Sequence, residues 1–394
     1  MAQSLLNIEG VLSVSIDAGI KNNDASDLSI IHLIEGATTA AVFTQNVFCA
    51  APVLVAKNHL NHQPKALLIN SGNANAGTGT QGMENALHTC ACLARELNIK
   101  TEQVLPFSTG VIGQQLDVSK FDNGIPKAIV KLSSDAMSDV AKGILTTDLV
   151  EKTATKQFKV NGKIITISGI AKGSGMIRPD MATMLSFIFT DIKATQSELQ
   201  SALTTATNQS FNRITVDGDT STNDACTLSA TGMSGVDIHD CVDEFQQALN
   251  EVTQSLAHQI IKDGEGATKF VEVCVKGGNT NDDCLEVAYT VAHSPLVKTA
   301  LFASDANWGR ILAAVGRANI SGLTIEDIDI HLNEVSIIKA GEPDESYTEA
   351  AGSAEMAKED IVITIEIGKG DAQESVWTTD FSYDYVKINA EYRT

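Results

Sequence analysis

The sequence predicts a mixed α/β fold in which helices cover β-sheets. Strand-like and helix-like segments interleave along the chain, without the regular βαβ alternation of a doubly wound parallel sheet. The length of 394 residues is typical of two or three domains, yet no linker or internal repeat divides the chain. A hydrophobic content of 43% is ample for a large core. We therefore expect one folded unit with mixed α+β architecture.

The first part of the chain contains strand and helix patterns in alternation. Apolar or alternating segments predict strands at residues 11–16, 28–34, 40–44, 65–70 and 104–109. Helical periodicity predicts helices at residues 50–60, 83–97, 125–132 and 135–143. Strands are also predicted at residues 156–160 and 163–167, and the Asn161-Gly162 pair between them is a strong hairpin signal.

The second part of the chain follows the same alternation. An apolar segment at residues 184–189 predicts a strand that is buried on both faces. Helices are predicted at residues 196–208, 242–261, 285–303 and 311–315. Further strands are predicted at residues 213–216, 269–275, 325–332, 334–339, 360–367 and 377–381.

The composition excludes several classes of partner. Lys and Arg number 28 against 49 Asp and Glu, and the net charge of -21 argues against nucleic acid or an anionic membrane as a partner. No apolar run approaches the length of a membrane span, and MAQSLLNIEG lacks the pattern of a signal peptide. The seven cysteines form no CxxC pair, so we expect free thiols, no metal site and a cytoplasmic location.

The stretch KGSGMIRPDMATMLSFIFTD, residues 172–191, carries the main chemical signal. A glycine-containing loop passes through Pro179 and reaches Ala182-Thr183, where the predicted buried strand begins. A small residue followed by Thr at such a junction is the layout of a self-cleaving N-terminal nucleophile. The alternative interpretation is an ordinary glycine loop before a core strand.

The residue types suit this chemistry. The Thr183 hydroxyl can attack the carbonyl of Ala182 and shift the acyl group from nitrogen to oxygen, after which water frees Thr183 as a new chain start. An α-amino group titrates near about pH 8, so much of it can act as a neutral base at cellular pH. Thr183 would then combine nucleophile and base in one residue.

Other glycine-rich or acidic motifs have competing interpretations. Residues 77–82 spell GxGxxG, but they do not follow the preceding strand directly, so a small-residue loop is favoured over a dinucleotide-binding turn. Residues 217–228 begin like a calcium loop, but Thr222 and Leu228 occupy its glycine and glutamate positions. The STG sequence at residues 108–110 is either a plain turn or a set of backbone donors for a developing oxyanion.

Several motifs together resemble one family. KGSGMIRPDMATML, NSGNANAGTG, STGVIG, VDGDTSTND and DGEGATK are similar to the motifs of the ornithine acetyltransferase family, the bifunctional ArgJ proteins, and the resemblance covers nearly the whole chain. It implies an αββα sandwich of the N-terminal-nucleophile-like kind. It also implies cleavage into an α chain, residues 1–182, and a β chain, residues 183–394. Arg178 is more basic than the family motif leads us to expect.

The resemblance also assigns roles to individual residues. Thr183 is the nucleophile and, through its freed amine, the base, and cleavage occurs between Ala182 and Thr183. Thr109 and Gly110 form the oxyanion hole. The substrate-binding residues are Thr146, Thr147, Lys172, Thr183, Glu265, Asn389 and Thr394. The TTD motif at residues 146–148 departs from the family because Leu149 follows it where a hydroxyl residue is usual.

The activity implied is transfer of the acetyl group of N2-acetyl-L-ornithine to L-glutamate in arginine biosynthesis, with an acetyl-Thr183 intermediate. The family uses no metal or cofactor, although acetyl-CoA is a candidate second donor, and it forms a heterotetramer of two α and two β chains. Residue chemistry alone leaves two rivals open. One is an aminopeptidase or amidase with the same nucleophile, and the other is a non-enzymatic ligand-binding protein that uses the GTGTQG loop.

Overall fold

The computed structural model describes residues 5–178 and 184–391. Its strands are β1 (Val11–Ile16), β2 (Leu28–Leu33), β3 (Thr38–Phe43), β4 (Ala66–Asn73), β5 (Val104–Val111), β6 (Lys152–Val160), β7 (Lys163–Lys172), β8 (Leu185–Thr190), β9 (Ile214–Thr215), β10 (Ala225–Ala230), β11 (Phe270–Gly278), β12 (Asp329–Leu332), β13 (Val335–Lys339), β14 (Glu342–Pro343), β15 (Asp360–Glu366) and β16 (Ala372–Thr378).

The helices of these residues alternate with the strands along the chain. They are α1 (Ala51–His59), α2 (Gly79–Leu97), α3 (Val118–Ile129), α4 (Met137–Gly143), α5 (Gln196–Gln209), α6 (Val242–Lys262), α7 (Asn281–Ala292), α8 (Pro295–Phe302), α9 (Trp308–Val315), α10 (Glu349–Met356) and α11 (Tyr383–Glu391). The predicted mixed α/β class is confirmed.

The described residues group into two compact units. The first, residues 5–178, 184–212 and 219–260, contains two sheets with strand orders β1-β2-β4-β5 and β3-β10-β8-β7-β6. The sheets pack face to face, and the rings of Phe107 on β5 and Phe187 on β8 meet edge to face with centroids 5.1 Å apart. Period-2 alternation places every second side chain of these strands in this shared core.

Helices cover the outer faces of both sheets in the first unit. Leu93 of α2 and Phe121 of α3 pack against Leu68 of the first sheet. On the second sheet, a Cβ atom at Gly169 of β7 would lie 3.0 Å from Leu256 of α6, so the missing side chain allows close packing of helix on sheet. The layer order is therefore helix, sheet, sheet, helix, and the αββα arrangement is confirmed within this unit.

One prediction that the structure confirms in detail is the hairpin around Asn161-Gly162. Val160 pairs with Lys163, and Asn161 and Gly162 both have left-handed backbones with φ of 50° and 81°. Such a two-residue turn sets the register of β6 against β7 over nine pairs, down to Lys152 opposite Ala171.

Several sequence predictions are incomplete or wrong. The helix predicted at residues 285–303 is divided into α7 and α8, and the strand predicted at residues 377–381 lies earlier, as β16. Strand β10 was not predicted, although all its residues are buried and it lies between β3 and β8, because ACTLSA has no apolar alternation. The helix predicted at residues 125–132 is wrong in its bounds, since α3 begins at Val118, where the Asp117 side chain caps it. Residues 383–391 form α11, where no helix is predicted from the sequence.

All seven cysteines are free thiols, as predicted, and six of them are buried. No helix in the described ranges is both long and apolar enough to span a bilayer. The boundary predicted between residues 182 and 183 falls outside the described residues, so the division into two chains stays a prediction.

The second unit, residues 213–218 and 261–391, contains one sheet with strand order β14-β13-β12-β15-β11-β16-β9. Val273, Ile363 and Val376 of its central strands form a core with side chains of α7 and α9. The parallel pair of β11 and β15 and the antiparallel pair of β11 and β16 place the longest strands at its centre.

Lys298 of α8 is the most unusual buried residue of the second unit, with 1% of its surface exposed. Its ammonium group donates to Thr378 Oγ1 at 2.7 Å and to the carbonyl of Thr379 at 2.5 Å. The Nζ atom also lies 4.8 Å from the centroid of the Phe381 ring. Burial lowers the pKa of Lys298 to about 7, against the opposing charges of Asp217 and Asp380.

This lysine predicts a pH dependence of stability. Between pH 7 and an ordinary lysine pKa of 10.5, the unfolded chain binds a proton that the native state does not hold. The contribution of Lys298 to the free energy of unfolding therefore rises as the pH is raised through this range. We expect the free energy of unfolding, measured with urea at pH 7 and pH 9.5, to increase less with pH in Lys298→Met than in the parent protein. Lys358→Met, at an exposed position, is the control, and equal increases in all three proteins would contradict the prediction.

Candidate active site

Three of the predicted site residues of the first unit meet around one ammonium group. Lys172 lies at the end of β7, Thr109 near the end of β5, and Thr146 in the loop between α4 and β6. Lys172 Nζ donates to Thr109 Oγ1 at 3.2 Å and to Thr146 Oγ1 at 3.0 Å. Strand ends of the two sheets therefore lie close together, although the residues that they carry are far apart in the sequence.

Gly110, the second predicted oxyanion residue, occupies a position that excludes every other residue type. Its φ is 128°, that of the paired Gly72 on β4 is 102°, and a Cβ atom at Gly110 would lie 2.4 Å from the carbonyl carbon of Gly72. The β4–β5 ladder is irregular here, because Asn73 pairs with both Thr109 and Val111. Such irregularities change the direction of backbone groups at strand ends, as the predicted oxyanion role requires.

Lys172 is held by a buried carboxylate, Asp148. Asp148 Oδ1 accepts from Lys152 Nζ at 2.5 Å and from the Gly173 amide at 2.6 Å, and its Oδ2 lies 4.0 Å from Lys172 Nζ. Oδ2 also accepts from the Thr146 amide at 3.1 Å. One carboxylate therefore orders both the lysine and the threonine loop beside it.

The charges of this cluster shift the pKa of Asp148 strongly. Burial alone would raise the pKa, but the ammonium groups of Lys172 and Lys152 and the Gly173 amide outweigh it and hold the pKa at about 2. Asp148 and Lys152 side chains are fully buried, whereas 11% of the Lys172 side chain is exposed. Two ammonium groups thus contact the same carboxylate, and Lys172 is the more exposed of the two lysines, so a ligand carboxylate can bind there.

Sequence reasoning did not assign Asp148 or Lys152. The TTD motif contains Asp148, but a helix cap or turn explains an Asp there equally well. Lys152 gives no local signal, because only the β6–β7 register places it at the same end of the hairpin as Lys172. For the TTD pair, Thr146 is the residue that receives the Lys172 hydrogen bond, while Thr147 beside it is half-buried.

The segment VDGDTSTND, residues 216–224, connects the strand ends of the first unit. Asn223 Nδ2 donates to the carbonyl oxygens of Ala74 at 2.6 Å and Ser108 at 2.9 Å, directly before Thr109. Thr220 Oγ1 donates to the carbonyl of Arg178 at 3.1 Å. The segment buttresses the predicted oxyanion strand and also contacts the chain just before Pro179.

Asp224 ends this segment as a buried carboxyl group at the start of β10. Burial raises its pKa well above the usual range, against smaller opposing effects of Ser221 and Lys172. Its Oδ2 atom has no hydrogen-bond partner among the described residues.

Two further predicted residues lie in the second unit and contact each other. Glu265 is buried and accepts a hydrogen bond from Asn389 Nδ2 at 2.8 Å, and Asn389 Nδ2 also donates to the carbonyl of Tyr385 at 3.0 Å. The helix α11 that carries Asn389 explains this contact, because it orders a chain end that would otherwise fray.

The remaining predicted residues, Ala182, Thr183 and Thr394, lie outside the described residues. The described part of the chain offers no group of three or more His, Cys, Asp or Glu side chains that could hold a metal ion. The chemistry that the described site supports is binding of a carboxylate at Lys172, beside the strand end that carries Thr109 and Gly110.

Comparisons with known proteins identify the family. The model of the ArgJ family matches residues 13–394. The chain is 52% identical over 382 residues to the arginine biosynthesis bifunctional protein ArgJ of Pseudomonas fluorescens, covering 96% of this chain and 94% of the relative. It is 49% identical over 394 residues to ArgJ of Methylococcus capsulatus, covering 99% and 97%. A crystal structure of ArgJ from Bacillus halodurans aligns with a TM-score of 0.51 and 40% identity, covering 53% of this chain and all of that chain. The chain belongs to the ArgJ family.

Proposed function

We propose that this protein transfers the acetyl group of N2-acetyl-L-ornithine to L-glutamate through an acetyl-Thr183 intermediate, as a step of arginine biosynthesis. The family membership supports this activity. The hydrogen bonds of Lys172 to Thr109 and Thr146 support the assignment of these residues to the site. These hydrogen bonds connect Lys172, a cation at the end of β7 that can bind a carboxylate, to the predicted oxyanion strand. The predicted nucleophile follows Lys172 by eleven residues in the sequence.

The reaction has two balanced halves. Thr183 Oγ attacks the acetyl carbonyl, its proton passes to the Thr183 amine, and Thr109 and Gly110 stabilise the oxyanion. The amine then returns the proton to the ornithine nitrogen as the carbon–nitrogen bond breaks. In the second half the neutral amino group of glutamate attacks the ester, and the Thr183 amine takes the proton that the new amide nitrogen loses. This proton passes to Thr183 Oγ as the ester carbon–oxygen bond breaks, which releases N-acetylglutamate and regenerates Thr183.

Substrate binding uses charges of both signs. Lys172 binds the α-carboxylate that donor and acceptor share, and the ammonium group that Asp148, Thr109 and Thr146 hold in place supports this role. Thr146 and Thr147 line the same loop. The family resemblance adds Glu265, Asn389 and Thr394 as substrate-binding residues, and the hydrogen bond between Glu265 and Asn389 is consistent with a shared role.

Catalysis requires cleavage between Ala182 and Thr183, which produces chains of 182 and 212 residues (394 − 182 = 212). The Bacillus halodurans ArgJ chain, which aligns over its full length with 53% of this chain, has the length of one such product. We propose that the two products assemble as a heterotetramer of two α and two β chains in the cytoplasm. Acetyl-CoA is proposed as a second acetyl donor, and the chemistry needs no metal or cofactor.

The nucleophile assignment is tested by Thr183→Ala. We expect intact mass spectrometry to find the parent protein as two chains, whose larger fragment gains one acetyl group on incubation with N2-acetyl-L-ornithine. Thr183→Ala lacks the attacking hydroxyl and should remain one chain without transferase activity. Thr183→Ser keeps a hydroxyl and is the matched control, which should still be cleaved. Normal cleavage of Thr183→Ala would refute the assignment.

The covalent intermediate predicts ping-pong kinetics, because one hydroxyl first accepts and then donates the acetyl group. Initial rates measured against N2-acetyl-L-ornithine at several fixed glutamate concentrations should give parallel double-reciprocal lines. Intersecting lines would indicate direct transfer within a ternary complex. Release of acetate in place of acetylglutamate would instead favour a hydrolase.

Asp148→Asn tests the charge cluster around Lys172. Without the carboxylate, Lys172 loses a nearby counter-charge, and the amides of Thr146 and Gly173 lose their acceptor. We expect kcat/KM for N2-acetyl-L-ornithine to fall at least about tenfold, roughly 1.4 kcal/mol. Asp139→Asn, at an exposed position on α4, is the control. A kcat/KM equal to that of the parent protein would contradict this role of Asp148.

A further inference from the structure

A second lysine, Lys21, lies beside the site on a loop of fixed backbone. The buried carboxylate of Asp27 accepts from the amides of Ala18 at 2.8 Å, Ile20 at 2.5 Å and Lys21 at 2.8 Å. These bonds to an ionised acceptor are strong and hold the loop between β1 and β2 in one conformation. The main chain of Lys21 is therefore ordered although the loop has no regular secondary structure.

The side chain of Lys21 runs over the glycine pair at the oxyanion strand. A Cβ atom at Gly72 would lie 3.0 Å from Lys21 Cγ, and Gly72 is the residue that pairs with Gly110. Lys21 Nζ donates to the carbonyl of Ser26 at 3.1 Å and to that of Gly143 at 3.4 Å. Gly143 ends α4, just before the loop that carries Thr146. The stem of Lys21 thus lies against the oxyanion strand, and its ammonium group lies at the end of α4, before the threonine loop.

Lys21 and Lys172 belong to the same electrostatic environment. Burial lowers the pKa of Lys21 and Lys172 lowers it further, whereas the carboxylates of Asp27 and Asp148 oppose these effects. The two acceptors at Lys21 are neutral carbonyls for a group with three N–H donors. An incoming anion between Lys21 and Lys172 would gain from both charges and relieve their repulsion.

The two substrates of the proposed reaction differ in the charge of their side chains. N2-acetyl-L-ornithine has one carboxylate and a side-chain ammonium group, whereas glutamate has a second carboxylate. Because one site serves both half-reactions, Lys172 can account for the shared carboxylate but not for the second one. Glutamate therefore needs another cation, and N2-acetyl-L-ornithine does not.

We propose that Lys21 is a specificity-determining residue, whose ammonium group binds the side-chain carboxylate of the acceptor glutamate. This inference rests on the proposed function and extends it to the choice of acceptor. Lys21 attracts a side-chain carboxylate, and it thereby favours glutamate over an uncharged amino acid of the same shape as the acceptor that attacks the acetyl-enzyme.

The experiment compares glutamate with glutamine, which has the same shape without the charge. Acetyl-enzyme is formed with N2-acetyl-L-ornithine, and kcat/KM is measured for each acceptor in the parent protein, Lys21→Met, Lys21→Gln and Lys21→Arg. We expect the glutamate-to-glutamine ratio to fall at least tenfold in Lys21→Met and Lys21→Gln and to be largely retained in Lys21→Arg. Lys142→Met, an exposed lysine on α4, should keep the parent ratio.

Lys21→Gln also separates the effect of charge from that of packing, because it keeps a polar side chain over Gly72. It can replace Lys21→Met in the experiment if that variant does not fold. An unchanged acceptor ratio in the uncharged variants would overturn the proposal. Equal losses in acetyl-enzyme formation and in the glutamate step would also overturn it, since Lys21 would then act by supporting Gly72 and Gly110. Failure of the parent protein to form acetyl-enzyme would instead refute the proposed function, and this inference with it.

Discussion

The buried carboxylate of Asp148 is the interaction on which the candidate site depends. It lies between the ammonium groups of Lys152 and Lys172 and accepts backbone hydrogen bonds from Thr146 and Gly173. A buried lysine is costly without a counter-charge, and Asp148 supplies one to both lysines. The same carboxylate anchors the backbone of Thr146 and Gly173, so the cluster also fixes the loops beside Lys172.

The sandwich of two sheets brings the other predicted site residues of the first unit next to this cluster. Strand β5 of one sheet carries Thr109 and Gly110, and strands β7 and β8 of the other sheet flank the predicted cleavage stretch. The core between the sheets, with Phe107 against Phe187, fixes the distance between these strand ends. Asn223 adds a direct tie by donating to the carbonyls of Ala74 and Ser108. Rigid strands thus position residues that lie more than sixty positions apart in the chain, as Lys172 and Thr109 do.

Glycine and lysine have complementary roles at the oxyanion strand. The absence of side chains at Gly72 and Gly110 permits close approach of β4 and β5, and the stem of Lys21 covers the space beside Gly72. The positive charges of Lys21 and Lys172 lie near this strand end, and each has a carboxylate nearby, Asp27 and Asp148 respectively. In the second unit, Lys298 is different, since its buried ammonium group is satisfied by Thr378, Thr379 and the Phe381 ring. There the lysine orders the chain before α11.

Sequence alone determined the local features. The mixed α/β class, the Asn161-Gly162 hairpin and most element positions follow from periodicity and turn chemistry, which act between residues close in the chain. The family motifs also marked Thr109, Gly110, Thr146 and Lys172 before any contact was known. Strand β10 escaped detection because its small and polar residues are buried by neighbours rather than by their own hydrophobic pattern.

Only the tertiary structure decided which charges act together. Lys152 and Lys21 have no motif of their own, and their relation to Lys172 arises from the register of β6 on β7 and from the packing of the loop before β2 on Gly72. The choice of Thr146 over Thr147 as the partner of Lys172 likewise depends on side-chain direction in a loop. Electrostatic coupling acts through space and depends on burial, so a linear pattern of residue types does not contain it.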